Sequence, residues 1–169
     1  FNMPLKPKFW DKNKISLIAL TLIPFSYLYW CLFVIKKKLN KKKKFPIKVM
    51  CVGNIYLGGT GKTPFSIELL SILKQLGKKA CFVMKNHNLT EDENKLLSKH
   101  GTVFTSSKRS HSIRLAHENG FDVAIMDDGF QDFSLEKNFS FLCFDEKLWI
   151  GNGLLIPAGP LRESLKSGL

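Results

Sequence analysis

The chain has 169 residues, the size of one domain or of one domain with an appendage. Its 44% hydrophobic content, with 14 Phe, can fill a core, which excludes a wholly disordered protein. The formal net charge of +12 is concentrated: residues 1–48 hold 12 Lys and one Asp, whereas residues 49–169 hold 14 Lys and Arg against 13 Asp and Glu. So neutral a body offers no broad DNA- or RNA-binding face, and no nucleic-acid partner is expected.

In chain order, the first element is a charge-free run of 21 residues, Ile15 to Ile35. As a helix it would be about 32 Å long, close to the thickness of a bilayer's hydrocarbon core. Tyr27, Tyr29 and Trp30 lie within it, and seven lysines follow in the nine residues from Lys36 to Lys44. This pattern reads as membrane attachment, spanning or interfacial, with a buried helical hairpin broken at Pro24 as the alternative. A cleaved signal peptide is disfavoured, because the run is too long and the basic cluster follows it. If the helix spans, the heavier cluster places residues 36 onward in the cytoplasm. The basic N-terminal flank (Lys6, Lys8, Lys12, Lys14) weakens that vote and favours a shallow anchor.

From residue 46 the pattern alternates. Strands are expected at Ile47–Val52, Ala80–Met84, Thr102–Thr105, Asp122–Met126 and Phe139–Phe144. Helices are expected at Lys62–Leu76, Glu91–Lys99 and Arg109–Glu118, the first with Phe65, Leu69, Ile72, Leu73 and Leu76 as its apolar face. Such alternation implies an α/β fold with a mostly parallel sheet flanked by helices, and ligands at the carboxyl ends of the strands. The division expected is a membrane-associated helix and basic segment over 1–45, then a core domain of the P-loop NTPase type over 46–169.

The most specific motif lies between the first body strand and its helix: Tyr56-Leu57-Gly58-Gly59-Thr60-Gly61-Lys62-Thr63. A strand, a glycine-rich turn and a helix start aim backbone N–H groups at phosphates. Lys62 would reach the β- and γ-phosphates of ATP, and Thr63 would give a hydroxyl to Mg²⁺. Tyr56 stands where the usual pattern has its first Gly. Asp127 and Asp128, in Asp127-Asp128-Gly129-Phe130-Gln131 after an apolar strand, fit the acidic partner of such a loop. Adjacent carboxylates on a continuing strand point to different sides, so one of the two is expected to face the metal. No Asn-Lys-x-Asp guanine motif is present, and Leu57 stands where deviant partitioning ATPases carry Lys.

Cys31, Cys51, Cys81 and Cys143 form no C-x-x-C pair, so buried reduced thiols in a cytosolic body are expected. His87, His100, His111 and His117 show no metal-ligand spacing.

The combination of motifs resembles the tetraacyldisaccharide 4'-kinase family of lipid A biosynthesis. It runs from Pro7-Lys8-Phe9-Trp10 and the Pro24-bearing helix through Val52-Gly53-Asn54 and Gly58–Pro64. It continues at Asp92-Glu93 and at Asp127–Gln131, and closes with Gly151-Asn152-Gly153 and Leu155–Glu163. The resemblance implies transfer of the ATP γ-phosphoryl group to the 4'-hydroxyl of an acylated glucosamine disaccharide lipid. The work would be done at the cytoplasmic face of the inner membrane, with no obligate protein partner evident. It also implies that Asp92 is the catalytic acid/base and that Arg162 neutralises phosphate charge. Read without it, Asp92 in Glu91-Asp92-Glu93 is a solvated helix start.

Two departures from the family pattern stand out. Met84-Lys85-Asn86-His87 replaces a Ser-Arg-Gly-Tyr motif, with a shortened segment before Asp92, and Lys85 would supply charge without a planar fork. The family also continues past Arg162-Glu163 into a portion bearing a histidine, so a truncated fragment of low activity is expected. The competing readings are a membrane-tethered P-loop ATPase acting as switch or scaffold, and a non-catalytic relic.

Overall fold

The computed structural model describes residues 7–11, 15–86 and 91–165. Lys6, Lys12, Lys14 and His87 lie outside the described residues.

After a 3-10 turn at Lys8–Trp10, helix α1 spans Leu17–Leu39. Ser16 starts it by accepting the Ala19 N–H at 3.1 Å. The helix continues unbroken through Pro24, so no hairpin forms at that residue. Only Ala19 and Ser26 are buried along it, while Leu17, Ile18, Leu20, Phe25, Leu28, Leu32 and Ile35 are exposed. It is long and apolar enough to cross a membrane.

The body is a five-stranded parallel sheet in the order β3-β2-β4-β1-β5. The strands are β1 (Lys48–Gly53), β2 (Ala80–Lys85), β3 (Val103–Ser106), β4 (Val123–Asp127) and β5 (Phe139–Leu142). Helices α2 (Lys62–Gln75), α3 (Glu91–Ser98) and α4 (Arg109–Glu118) alternate with them. β2 and β4 read as unbroken apolar runs because both faces are covered. Leu69, Leu70 and Leu73 of α2 pack with Val52, Phe82, Met84, Val123, Ile125 and Leu97.

The buried face of α2 is Ser66-Leu69-Leu70-Leu73, whereas Phe65, Ile72 and Leu76 are exposed. The expected stripe is thus rotated: Leu69 and Leu73 belong to the core and its other members do not. A serine, with a polar partner to find, stands on the inward side. Cys51 and Cys81 are buried, Cys31 and Cys143 only half-buried, and all four are free thiols.

By contacts the chain forms two compact units rather than one cut at residue 45. One comprises Phe1–Asn40, Ile55–Thr60 and Phe144–Leu169, the other Lys41–Asn54 and Gly61–Cys143. The first is stitched by backbone bonds: Leu57 donates to Pro160 at 2.8 Å, Arg162 to Ile55 at 2.7 Å and Asn152 to Trp10 at 2.9 Å. In the second, the basic run is pinned beside the sheet domain, Lys43 donating to Ser134 at 2.8 Å and accepting from Glu136 at 2.9 Å.

Candidate phosphate-binding site

β1 and β4 are neighbours, with Val52 opposite Asp127, so the glycine-rich loop leaving β1 and the aspartates ending β4 start from one edge of the sheet. Gly61 precedes α2 with φ 71°, in the left-handed region, and no side chain caps the helix. A residue with a Cβ would be strained there, and the first-turn N–H groups of α2 stay open to an anion.

Asp127 is 3% exposed. Its Oδ2 accepts the Thr63 hydroxyl at 3.1 Å, and its Oδ1 accepts the Ser66 hydroxyl at 3.0 Å. Burial pushes its carboxyl above the usual carboxylate range, while the two hydroxyls and Lys62 pull it back. Asp128 takes φ 49°, which turns the chain out of the strand. Its Oδ1 is 3.7 Å from the Lys62 ammonium, and its carbonyl accepts Arg109 Nη2 at 2.9 Å. The two carboxylates thus separate, Asp127 inward to the hydroxyls of α2 and Asp128 toward Lys62.

The loop after them is held from three sides. Gln131 donates to the Asn54 carbonyl at 3.0 Å, Lys137 donates to the Phe130 carbonyl at 2.6 Å, and Arg109 Nη1 lies 3.7 Å from Asp132. Asp127 and Thr63 present hard oxygen donors, one anionic and one neutral. That donor set suits Mg²⁺, which takes few protein ligands and completes its shell with water and phosphate oxygens.

The front of the loop belongs to the other unit. Tyr56 fills the place of the usual first glycine because its side chain turns into that unit, fully buried, with its hydroxyl donating to Asp11 at 2.6 Å. Burial, then the Asp11 bond, raise its phenol above the ordinary range. Leu57 is held by Pro160, Thr60 is buried, and Gly58 and Gly59 lie between them.

Lys62, Thr63, Asp127 and Asp128 are therefore brought together. Asp92 is exposed in the first turn of α3 and forms no hydrogen bond or ion pair with another described residue. Its neighbour Glu93 feels the cluster: desolvation raises its pKa, Asp127 and Asp128 raise it further, and Lys62 opposes them. Arg162 lies in the unit of Tyr56, its carbonyl accepting the Tyr29 hydroxyl at 2.9 Å, beside the buried Glu163. Ser66, Glu93 and Arg109 were not among the sequence-derived site residues. The one available signal for Ser66 was a hydroxyl on the inward side of an amphipathic helix. For Glu93 it was its place beside Asp92.

Residues 18–169 match the family described as Tetraacyldisaccharide-1-P 4'-kinase. A tetraacyldisaccharide 4'-kinase of Pelagibacter ubique is 45% identical over 162 residues, covering 96% of this chain and 51% of that protein. One from Rickettsia bellii is 37% identical over 175 residues, covering 94% and 54%. Among solved structures, the "apo" form of LpxK from Aquifex aeolicus in complex with ATP superposes with a TM-score of 0.73 at 32% identity. That likeness covers 89% of this chain and 56% of the other. The chain spans about half the length of the curated relatives it matches. On sequence and on fold alike, it belongs to the tetraacyldisaccharide 4'-kinase family.

Proposed function

We propose that this chain is the nucleotide-binding portion of a kinase that moves the γ-phosphoryl group of ATP to the 4'-hydroxyl of a tetraacylated glucosamine disaccharide 1-phosphate. The observation that carries the reading is the buried Asp127 carboxylate, held by Thr63 and Ser66 and paired in sequence with an Asp128 that faces Lys62. A solvated Asp-Asp-Gly turn would not bury its first carboxylate against the opening of a helix. The complex of the Aquifex protein with ATP supports the choice of nucleotide.

In this reading, Tyr56 to Thr63 form the phosphate cradle, with the Gly58, Gly59 and Gly61 backbone close to the anion. Lys62 exchanges its Asp128 partner for the β- and γ-phosphates. Thr63 and Asp127 would hold Mg²⁺, with Asp128 on its water shell; the ion would neutralise charge on the phosphates. Asp92 accepts the proton of the attacking hydroxyl, and Glu93, with its raised pKa, keeps a second carboxyl on the same helix near the phosphates. Arg162 neutralises phosphate charge. Helix α1 lies at the cytoplasmic face of the inner membrane with its exposed apolar side in lipid, where the sugar headgroup emerges.

The test uses the full-length protein, γ-labelled ATP and the acylated disaccharide in mixed micelles. Label in the lipid-extractable disaccharide is expected, and its loss in Asp127→Asn and Lys62→Ala. Release of inorganic phosphate alone would instead indicate a tethered ATPase.

A further inference from the structure

The segment Leu155–Arg162 is bonded on one side to α1 and on the other to the front of the phosphate loop. On the α1 side, the Ser26 hydroxyl donates to the Leu155 carbonyl at 2.8 Å and accepts the Ala158 N–H at 3.0 Å. One turn further on, the Tyr29 hydroxyl donates to the Arg162 carbonyl at 2.9 Å. The Trp10 indole donates to the Pro157 carbonyl at 3.1 Å. On the loop side, the Arg162 N–H donates to Ile55 at 2.7 Å, the Leu57 N–H donates to Pro160 at 2.8 Å, and Tyr56 bridges to Leu161.

Ser26 is the buried polar residue of a helix on which Leu22, Tyr29, Phe33 and Val34 are half-buried and most other large side chains are exposed. It uses donor and acceptor on the same segment at 2.8 and 3.0 Å, against a longer 3.4 Å bond to the Leu22 carbonyl of its own helix, so the segment holds its rotamer more closely than the helix does. The segment itself is tightly folded. Asn152 Nδ2 donates to Ala158 at 2.9 Å, Ile156 to Leu161 at 2.9 Å and Gly159 to Leu155 at 2.9 Å. A Cβ on Gly159 would run into Asn152 and Leu154, so only glycine fits there. So stiff a piece transmits a displacement of α1 instead of absorbing it.

We infer that Ser26 and Tyr29 are positioning residues for the nucleotide site: through the rigid Leu155–Arg162 segment they set Ile55–Leu57, the lead-in of the phosphate loop, according to how α1 is seated. The inference rests on the proposed nucleotide role of that loop. It makes ATP affinity a property of the lipid-facing helix, although neither side chain touches the nucleotide.

The experiment compares the full-length protein with Ser26→Ala, Tyr29→Phe, the pair together, and Ser26→Thr, which restores a hydroxyl. Affinity for a fluorescent ATP analogue with Mg²⁺ is read by titration, KM for ATP and kcat by label transfer, and membrane attachment by flotation on vesicles of phosphatidylglycerol and phosphatidylethanolamine. The paired variant is expected to raise Kd and KM for ATP by about five- to tenfold, the order expected from two lost hydrogen bonds acting at a distance. Flotation is expected to be unchanged, with Ser26→Thr close to the unsubstituted protein.

Tyr29→Phe keeps the ring and is the variant to rely on if Ser26→Ala misfolds; alone, it should raise both constants about twofold or more. Unaltered ATP affinity in a folded Tyr29→Phe, or a change confined to flotation, would overturn the inference and leave the kinase reading standing. Analogue binding without label transfer would instead count against the kinase reading, and the affinity comparison would still decide the role of Ser26 and Tyr29.

Discussion

Asp127 carries a cost that the proposed metal-holding role would explain. Its carboxyl is buried, and desolvation holds its pKa above the ordinary value despite two hydroxyl donors. A carboxyl with a higher pKa folded than unfolded binds its proton more tightly in the native state. Its contribution to stability is therefore full at pH below the unfolded value and is lost as pH rises through the folded one. At pH 7.5 the charged form opposes folding, so Asp127→Asn is expected to keep or raise Tm while abolishing Mg²⁺-dependent ATP turnover. A fall in Tm measured by calorimetry would contradict this sign. Ser66→Ala acts in the opposite direction, since it withdraws a donor from a buried charge and should cost about 1–3 kcal/mol in urea unfolding. Ser66→Thr, which keeps the hydroxyl, should lose much less. Lys62, Thr63, Asp127 and Asp128 were legible in the sequence because loop and aspartates each carry a motif. Ser66 was not, because the apolar spacing of α2 drew attention to Phe65 and Ile72, which face outward. Nor was Glu93 separable from Asp92, since the influence of the cluster on an α3 carboxylate depends on how α3 is seated.

The same distinction recurs at the level of elements. β2 and β4 could be read within a residue or so because strands covered on both faces are continuous apolar runs. The end of β4 mattered most: Asp127 falls inside the strand, which holds its side chain in the sheet's alternation, while Asp122 lies outside and accepts the Lys79 N–H at 2.9 Å. Continuity of α1 could not be read from Pro24: a proline removes one backbone bond and crowds the carbonyl four residues earlier, a cost that α1 bears while running on past residue 24. The turn after β4 depends on a close approach that sequence spacing does not reveal. A Cβ on Gly53 would lie 2.5 Å from the Phe130 Cβ, against backbone that cannot withdraw. Gly53→Ala should therefore displace the Asp128–Gln131 turn and cost about 1–3 kcal/mol. Its ATP affinity should fall with Tm, whereas Gly59→Ala, where a Cβ would meet nothing within 4 Å, should leave Tm unchanged. Equal melting temperatures for the two variants would show that the turn is not set by that contact.

Over the whole molecule, charge and apolar surface fall at the same end of the chain, and the bonding of α1 limits how that end could meet a membrane. Lys36 to Lys38 are exposed in the last turn of α1, and Lys41 to Lys44, also exposed, follow it in the chain. The middle of α1 is not free to be surrounded by hydrocarbon, because Ser26 and Tyr29 hold the backbone of residues 155, 158 and 162. A spanning helix would carry that irregular backbone into the bilayer core, where polar groups lacking water cost several kcal/mol each by the usual reckoning. An orientation along the interface avoids this, leaving one side of α1 on the protein, the other in the acyl boundary and the lysines among headgroups. Each lysine near an anionic surface contributes about 1 kcal/mol, an attraction that salt weakens. Binding to vesicles containing phosphatidylglycerol should therefore exceed binding to neutral vesicles and decline as NaCl is raised. Replacing Lys36, Lys37 and Lys38 with Gln should weaken it by tenfold or more on this scale. Alkaline carbonate should release the protein from membranes without detergent. Retention through carbonate, with no dependence on salt or on the three lysines, would mean that α1 crosses the bilayer, and the bonds of Ser26 and Tyr29 would then have to give way on insertion.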